Sequence, residues 1–135
     1  MPNVVTITPE NSPTPIGPYN HIAKAGTFIA VGGVAAIDPR TGDLAGEDVG
    51  AQTRQILKNM SALLESADSD LQHVIHVNVF LLHMSDFEEM NRVYATCMGA
   101  HRPARTVIGV HELPKPGMLL TMNLTAFSRD AAASS

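Results

Sequence analysis

Residues 50–82 read GAQTRQILKNMSALLESADSDLQHVIHVNVFLL, and the change of period inside this stretch decides the fold class. From Gly50 to Ala67 the apolar residues Ile56, Leu57, Met60, Leu63 and Leu64 recur at the spacing of one helical face, which predicts an α-helix. From Gln72 to Leu82 the pattern alternates instead. Ile75, Val77, Val79 and Leu81 interleave with Val74, His76, Asn78, Phe80 and Leu82, which predicts a long strand with one apolar and one mixed face.

Working outward towards the C-terminus, Ser85-Asp86-Phe87-Glu88 has the form of a capping box. Phe87, Met90, Val93, Tyr94 and Cys97 then line a second helix. Ala104–His111 is short and β-branched, and after the Pro116-Gly117 turn Thr121, Asn123 and Thr125 alternate with Met122, Leu124 and Ala126; both segments predict strands.

Towards the N-terminus, Asp38-Pro39-Arg40-Thr41-Gly42-Asp43 has turn chemistry and predicts a loop. Residues 21–36 predict a hairpin about Gly26. Pro9, Pro13, Pro15 and Pro18 remove backbone donors from residues 8–18, which predicts an ordered surface loop. The order β-β-β-α-β-α-β-β gives an α+β class with two helices covering one face of a sheet of about six strands. Phe28 and Ala30 opposite Ile29 and Val31, and Ile108 and Val110 opposite Val107, carry apolar side chains on both faces, so a second copy is expected to cover what the helices do not.

Composition narrows the function. A chain of 135 residues predicts one domain, taken as residues 1–130, with the small polar tail 131–135 expected to be disordered. Net charge is −4 and the nine Lys and Arg residues are scattered, which argues against a nucleic-acid partner. No apolar run approaches the roughly 18 residues of a membrane span. A single cysteine, Cys97, forms no internal disulfide and sits among apolar helix residues, so an inert thiol and a reducing cytoplasm are expected. His73 and His76 fall on opposite sides of an extended strand and no histidine pair has i, i+4 spacing, so no catalytic metal is expected. Gly32-Gly33 lacks the spacing of a phosphate loop, and no cofactor is expected.

Ile16-Gly17-Pro18-Tyr19, Val31-Gly32-Gly33, Asp38-Pro39 with Thr41-Gly42, Gln52, Asn59, Asn91, Tyr94, Pro103-Ala104-Arg105 and Leu113-Pro114 together resemble the YjgF/RidA (reactive-intermediate deaminase) family over residues 14–127. The resemblance implies a chorismate-mutase-like fold, a homotrimer with a central barrel and clefts at subunit boundaries, and deamination of carboxylate-bearing enamines and imines such as 2-aminoacrylate. Residues 104–114 also look like the 2-aminomuconate deaminase branch, which implies a larger conjugated substrate. RNA cleavage is attributed to some members, and the acidic balance argues against it here.

Within this frame Arg105 is expected to clamp the substrate carboxylate through its planar fork, the alternative being an ordinary salt bridge. Tyr19 is expected to wall the cleft and order water, the alternative being loop packing. Asn91 and Tyr94, three apart on a helix, are expected to reach the cleft together unless they bond a neighbouring loop. Gly33, Val31 and the Val107 backbone complete the substrate-binding set. Three positions depart from the family pattern: its serine is Val31, its cysteine two residues after the arginine is Val107, and its water-orienting glutamate is Thr121. Thr121 can order water by hydrogen bonding but is no base near neutral pH. The functional alternative is a non-catalytic trimer that binds 2-oxo acids.

Overall fold

The computed structural model describes residues 3–129; the expected tail at 131–135 lies outside them. Eight elements follow in the expected order: β1 (Val5–Ile7), β2 (Ile22–Ala25), β3 (Phe28–Val34), α1 (Val49–Ser66), β4 (Val74–Leu81), α2 (Phe87–Met98), β5 (Ala104–Gly109) and β6 (Leu120–Phe127). The strands form one sheet in the order β1-β2-β3-β6-β4-β5. It is mixed, because β4 and β5 pair in parallel across the α2 connection while the other neighbours are antiparallel.

Both helices lie on one face. Ile56, Leu57, Met60, Leu63 and Leu64 of α1, with Met90, Tyr94 and Met98 of α2, pack on Ile29, Val31, Val77, Val79, Leu81, Leu120, Met122 and Leu124 of the sheet. Each such side chain removed from water contributes about 1.5–3 kcal/mol before chain entropy is subtracted. The opposite face is left open, with Phe28 48% and Ile108 46% exposed.

Three local expectations fail for physical reasons. Ser85 does not close a capping box: a 3-10 turn over Met84–Asp86 leads into α2, and Asp86 at the N-cap makes no side-chain capping bond. Ile75 belongs to neither face of a regular strand, because the pairing of β4 with β6 shifts between Val74 and His76. Val74 is buried and Ile75 is 46% exposed as a result. His73 lies in the 3-10 turn before β4, where its Nδ1 bonds Asp70 at 2.6 Å. Helix α1 has a cap that the pattern did not flag, Asp48 Oδ1 accepting from Ala51 N at 2.8 Å.

Two buried amides fix the loops that shape the site. Gln52 of α1 donates to the Gly46 and Gly117 carbonyls at 3.2 and 2.9 Å and accepts from Leu119 N at 2.9 Å, tying the 113–119 loop to the helix. Asn59, one helical stripe further on, donates to Ala35 O at 3.2 Å and Ile37 O at 2.8 Å, which sets the path of the chain leaving β3.

Candidate functional site

At the end of β3 a cavity of about 510 Å³ opens between the proline-rich loop and the 113–118 loop. Tyr19, His21, Gly33, Lys115, Met118 and Thr121 are among its walls. Gly33 leaves the floor open: a Cβ placed there would stand 3.6 Å from Thr121 Oγ1, so any side chain would project into the space Thr121 faces. Thr121 Oγ1 donates its hydrogen to Val34 O at 2.9 Å, which leaves its lone pairs to accept from a ligand or water. Tyr19 Oη accepts from Ile16 N at 3.3 Å, so the phenol staples its own loop while keeping its O–H free to donate. No carboxylate lines this cavity among the described residues.

Arg105 is elsewhere. It lies on β5, on the helix-facing side of the sheet, with its guanidinium carbon 4.8 Å from the centre of the Tyr94 ring and 5.9 Å from that of Phe87. Cation–π attraction holds it over the two rings. It makes no hydrogen bond or ion pair with any described residue, so the ordinary salt bridge is not what occupies it within one chain. Phe87, Asn91 and Tyr94 share one face of α2 by their i, i+4, i+7 spacing. Asn91 Oδ1 and Tyr94 Oη are buried there without a partner among the described residues. Burial pushes the Tyr94 phenol up, opposed by Arg105 and Arg102, so it stays neutral and able to donate. Val107 follows on the same side of β5, partly buried against the core.

The register across the sheet separates the two groups. Arg105, Val77, Leu124 and Val31 stand in one row from β5 to β3. Val31 is therefore a core residue, 3% exposed beneath the helices, and not the cleft wall expected of it; strand alternation turns its side chain away from the open face. Thr121 stands in a different row, with Phe80 and Ile108, and faces the opposite side from Leu120 and Met122. With strands about 4.8 Å apart, Arg105 and Thr121 are separated by roughly 10 Å across the sheet, by three residues along it, and by the sheet itself. Tyr19, Gly33 and Thr121 thus gather at one place, and Arg105, Asn91 and Val107 lie apart from them.

His21 was not singled out from the sequence, yet it is 5% exposed and lines the cavity. Its position just before the apolar Ile22 at the start of β2 gave only a weak signal. Among the described residues no group of three or more His, Cys, Asp or Glu side chains is placed to share a metal ion.

Comparison with known proteins gives the family. The family model described as "Endoribonuclease L-PSP" matches residues 9–128. A RutC family protein of Pyrococcus horikoshii is 48% identical over 78% of this chain and 84% of its own. The 2-iminobutanoate/2-iminopropanoate deaminase of Salmonella typhimurium is 37% identical over 82% of this chain and 88% of its own. The crystal structure of the YjgF gene product of E. coli superposes with a TM-score of 0.86 at 33% identity, covering 93% of this chain and 99% of that one. With the same sheet, the same two helices and a match over most of its length, this chain belongs to the endoribonuclease L-PSP family, the YjgF/RidA family.

Proposed function

We propose that the protein is a cofactor-independent deaminase that hydrolyses carboxylate-bearing imines and enamines, acting as a homotrimer in the cytoplasm on a small-molecule substrate. The observation that carries this reading is the unbonded Arg105 guanidinium, held over Tyr94 beside the unpartnered Asn91 Oδ1 and Tyr94 Oη. An orphaned buried polar group costs about 1–3 kcal/mol; an anion can accept from the Tyr94 hydroxyl and the Arg105 guanidinium, while Asn91 Oδ1, an acceptor, needs an N–H or O–H donor such as a substrate amino group or water.

Neither half-site is sufficient. The carboxylate clamp lies on one side of the sheet and the cavity of Tyr19, Gly33 and Thr121 on the other, further apart than a small imino acid can reach. A neighbouring copy that brings its Arg105 to this cavity completes the site, and the open sheet face bearing Phe28 and Ile108 is the surface such an assembly would cover.

In this reading Arg105 binds the carboxylate bidentately, the Val107 backbone and Gly33 line the substrate, and Tyr19 and Thr121 order the attacking water. Water adds to the imine carbon, and the amino group leaves as ammonia. Imines hydrolyse unaided in water, so binding and orientation supply a useful rate even without a strong acid at residue 121. The cavity, about 510 Å³, accommodates a conjugated dicarboxylate of the 2-aminomuconate type as well as 2-aminoacrylate.

One observation favours a second reading, a non-catalytic trimer that binds 2-oxo acids: Thr121 gives its hydrogen to Val34, and among the described residues no carboxylate lines the cavity to take a proton from water. Stopped-flow loss of freshly generated imine absorbance, with ammonia quantified, separates the two. Acceleration abolished in Arg105→Ala supports the deaminase; saturable binding of 2-oxo acids with no acceleration supports the binding trimer.

A further inference from the structure

The cavity contains a titratable group that the family comparison does not supply. Pro13 O can only accept, so its 2.5 Å contact with His21 Nε2 requires the N–H to sit on Nε2. In the neutral ring Nδ1 is then the bare, basic nitrogen, and it is buried with no partner among the described residues. Backbone bonds fix the residue and the Tyr19 ring packs on the imidazole. His21 N donates to Thr8 Oγ1 at 3.1 Å, His21 O accepts from Gly32 N at 2.9 Å, and the Tyr19 ring meets the imidazole edge-on at 5.9 Å between centres.

Topology places His21 at the wall of the cavity. β3 runs between β2 and β6, so His21, just before β2, and Thr121, on β6, flank the Gly32-Gly33 floor from its two sides. Their backbones stand roughly two strand spacings, ~10 Å, apart across β3. Among the described residues the titratable side chains lining the cavity are Tyr19, His21 and Lys115, and Glu10 lines the neighbouring cleft that shares Pro13. Of these, His21 carries the buried nitrogen lone pair without a partner among the described residues.

We propose that His21 is the proton acceptor of the hydrolysis, working through Nδ1 on the attacking water or on a water hydrogen-bonded to it; this rests on the deaminase reading above. As the water oxygen bonds to the imine carbon, one water proton passes to Nδ1 and the C=N π pair moves to nitrogen. The imidazolium returns that proton to the nitrogen, giving a carbinolamine. In the second half the carbinolamine hydroxyl yields its proton to Nδ1, the C=O bond forms as the C–N bond breaks, and the proton leaves with the nitrogen as ammonia. The histidine ends unchanged, and no other reactant is consumed.

The test is the pH profile of imine hydrolysis, corrected for the uncatalysed rate, in wild type and in His21→Gln. The glutamine amide can still donate to Pro13 O and so keeps the loop anchored, but it cannot titrate; oligomer size and melting temperature check that the fold survives. Because the base must be unprotonated, wild-type kcat should rise with pH. His21→Gln should lose that rise and lower kcat about 100-fold while KM stays near the wild-type value. Wild-type acceleration with an unchanged kcat and pH profile in His21→Gln overturns the role of His21 alone. Absence of wild-type acceleration overturns the deaminase reading and this proposal with it.

Discussion

Arg105 lies over the Tyr94 ring, 4.8 Å from its centre, and spends none of its five N–H donors on a described residue. A cation fixed by two aromatic rings and left without an anion is preorganised for one, since its orientation is set before a ligand arrives. Replacing Arg105 by alanine should therefore cost carboxylate binding and little stability. We expect KM or Kd to rise about 100-fold, with the unfolding free energy within about 1 kcal/mol of wild type. Lysine should not rescue binding, because it lacks the planar fork and stacks poorly. Titration calorimetry beside a thermal melt decides it, and a large loss of stability would make the arginine structural.

The proposed division of the site between the two sides of the sheet predicts that activity depends on assembly. Ile108, 46% exposed on the open face, should become intolerant of charge if copies meet there. Ile108→Asp is expected to shift the protein from trimer to monomer in analytical ultracentrifugation and to lose activity, while far-ultraviolet circular dichroism stays unchanged because the helix-side core is untouched. A fully active monomer would refute the shared site.

Gln52 connects α1 to the cavity through three hydrogen bonds at 1% exposure. Gln52→Ala leaves the Gly46 and Gly117 carbonyls and the Leu119 N–H short of a partner, and should destabilise the fold by about 2–4 kcal/mol in urea titration. Gln52→Glu should be intermediate: its carboxylate still accepts from Leu119 but repels the two carbonyls.

Asp70 controls acid stability where the chain leaves β6. Burial disfavours its charge, but the hydrogen bonds from His73 and Arg129 outweigh that and hold its carboxyl below the usual range. A depressed folded-state pKa stabilises above the unfolded value and is lost as pH falls through the folded one. Asp70→Asn should thus cost about 1 kcal/mol at pH 7, with the difference from wild type narrowing as pH falls below the ordinary aspartate range. Guanidinium unfolding at several pH values would show whether the gap narrows in that direction.

Much of the fold was legible because helices and strands are written in local period. The recurrence of Ile56, Leu57, Met60, Leu63 and Leu64 needs only neighbours one turn away, and α1 appears where that recurrence puts it. The alternation of Leu120, Met122, Leu124 and Ala126 with Thr121, Asn123 and Thr125 likewise needs only the strand's own pleat. The misreadings arose where a second strand or a turn intervened. The register shift beside Ile75 is a property of the β4–β6 pair, and the turn over Met84–Asp86 replaced a cap that the sequence pattern alone allowed.

By itself the sequence determined which side chains were available: an arginine after a proline, a tyrosine closing a Gly-Pro turn, a threonine where the family carries an acid. Only the tertiary structure decided where they meet. It sent Val31 under the helices, set Arg105 and Thr121 on opposite sides of the sheet, and buried His21 with one nitrogen bound to Pro13 and the other bare. The reason is physical: side-chain type and period are local properties of the chain, whereas register, facing and the burial of a lone pair depend on residues far apart in sequence that come together only when the sheet closes.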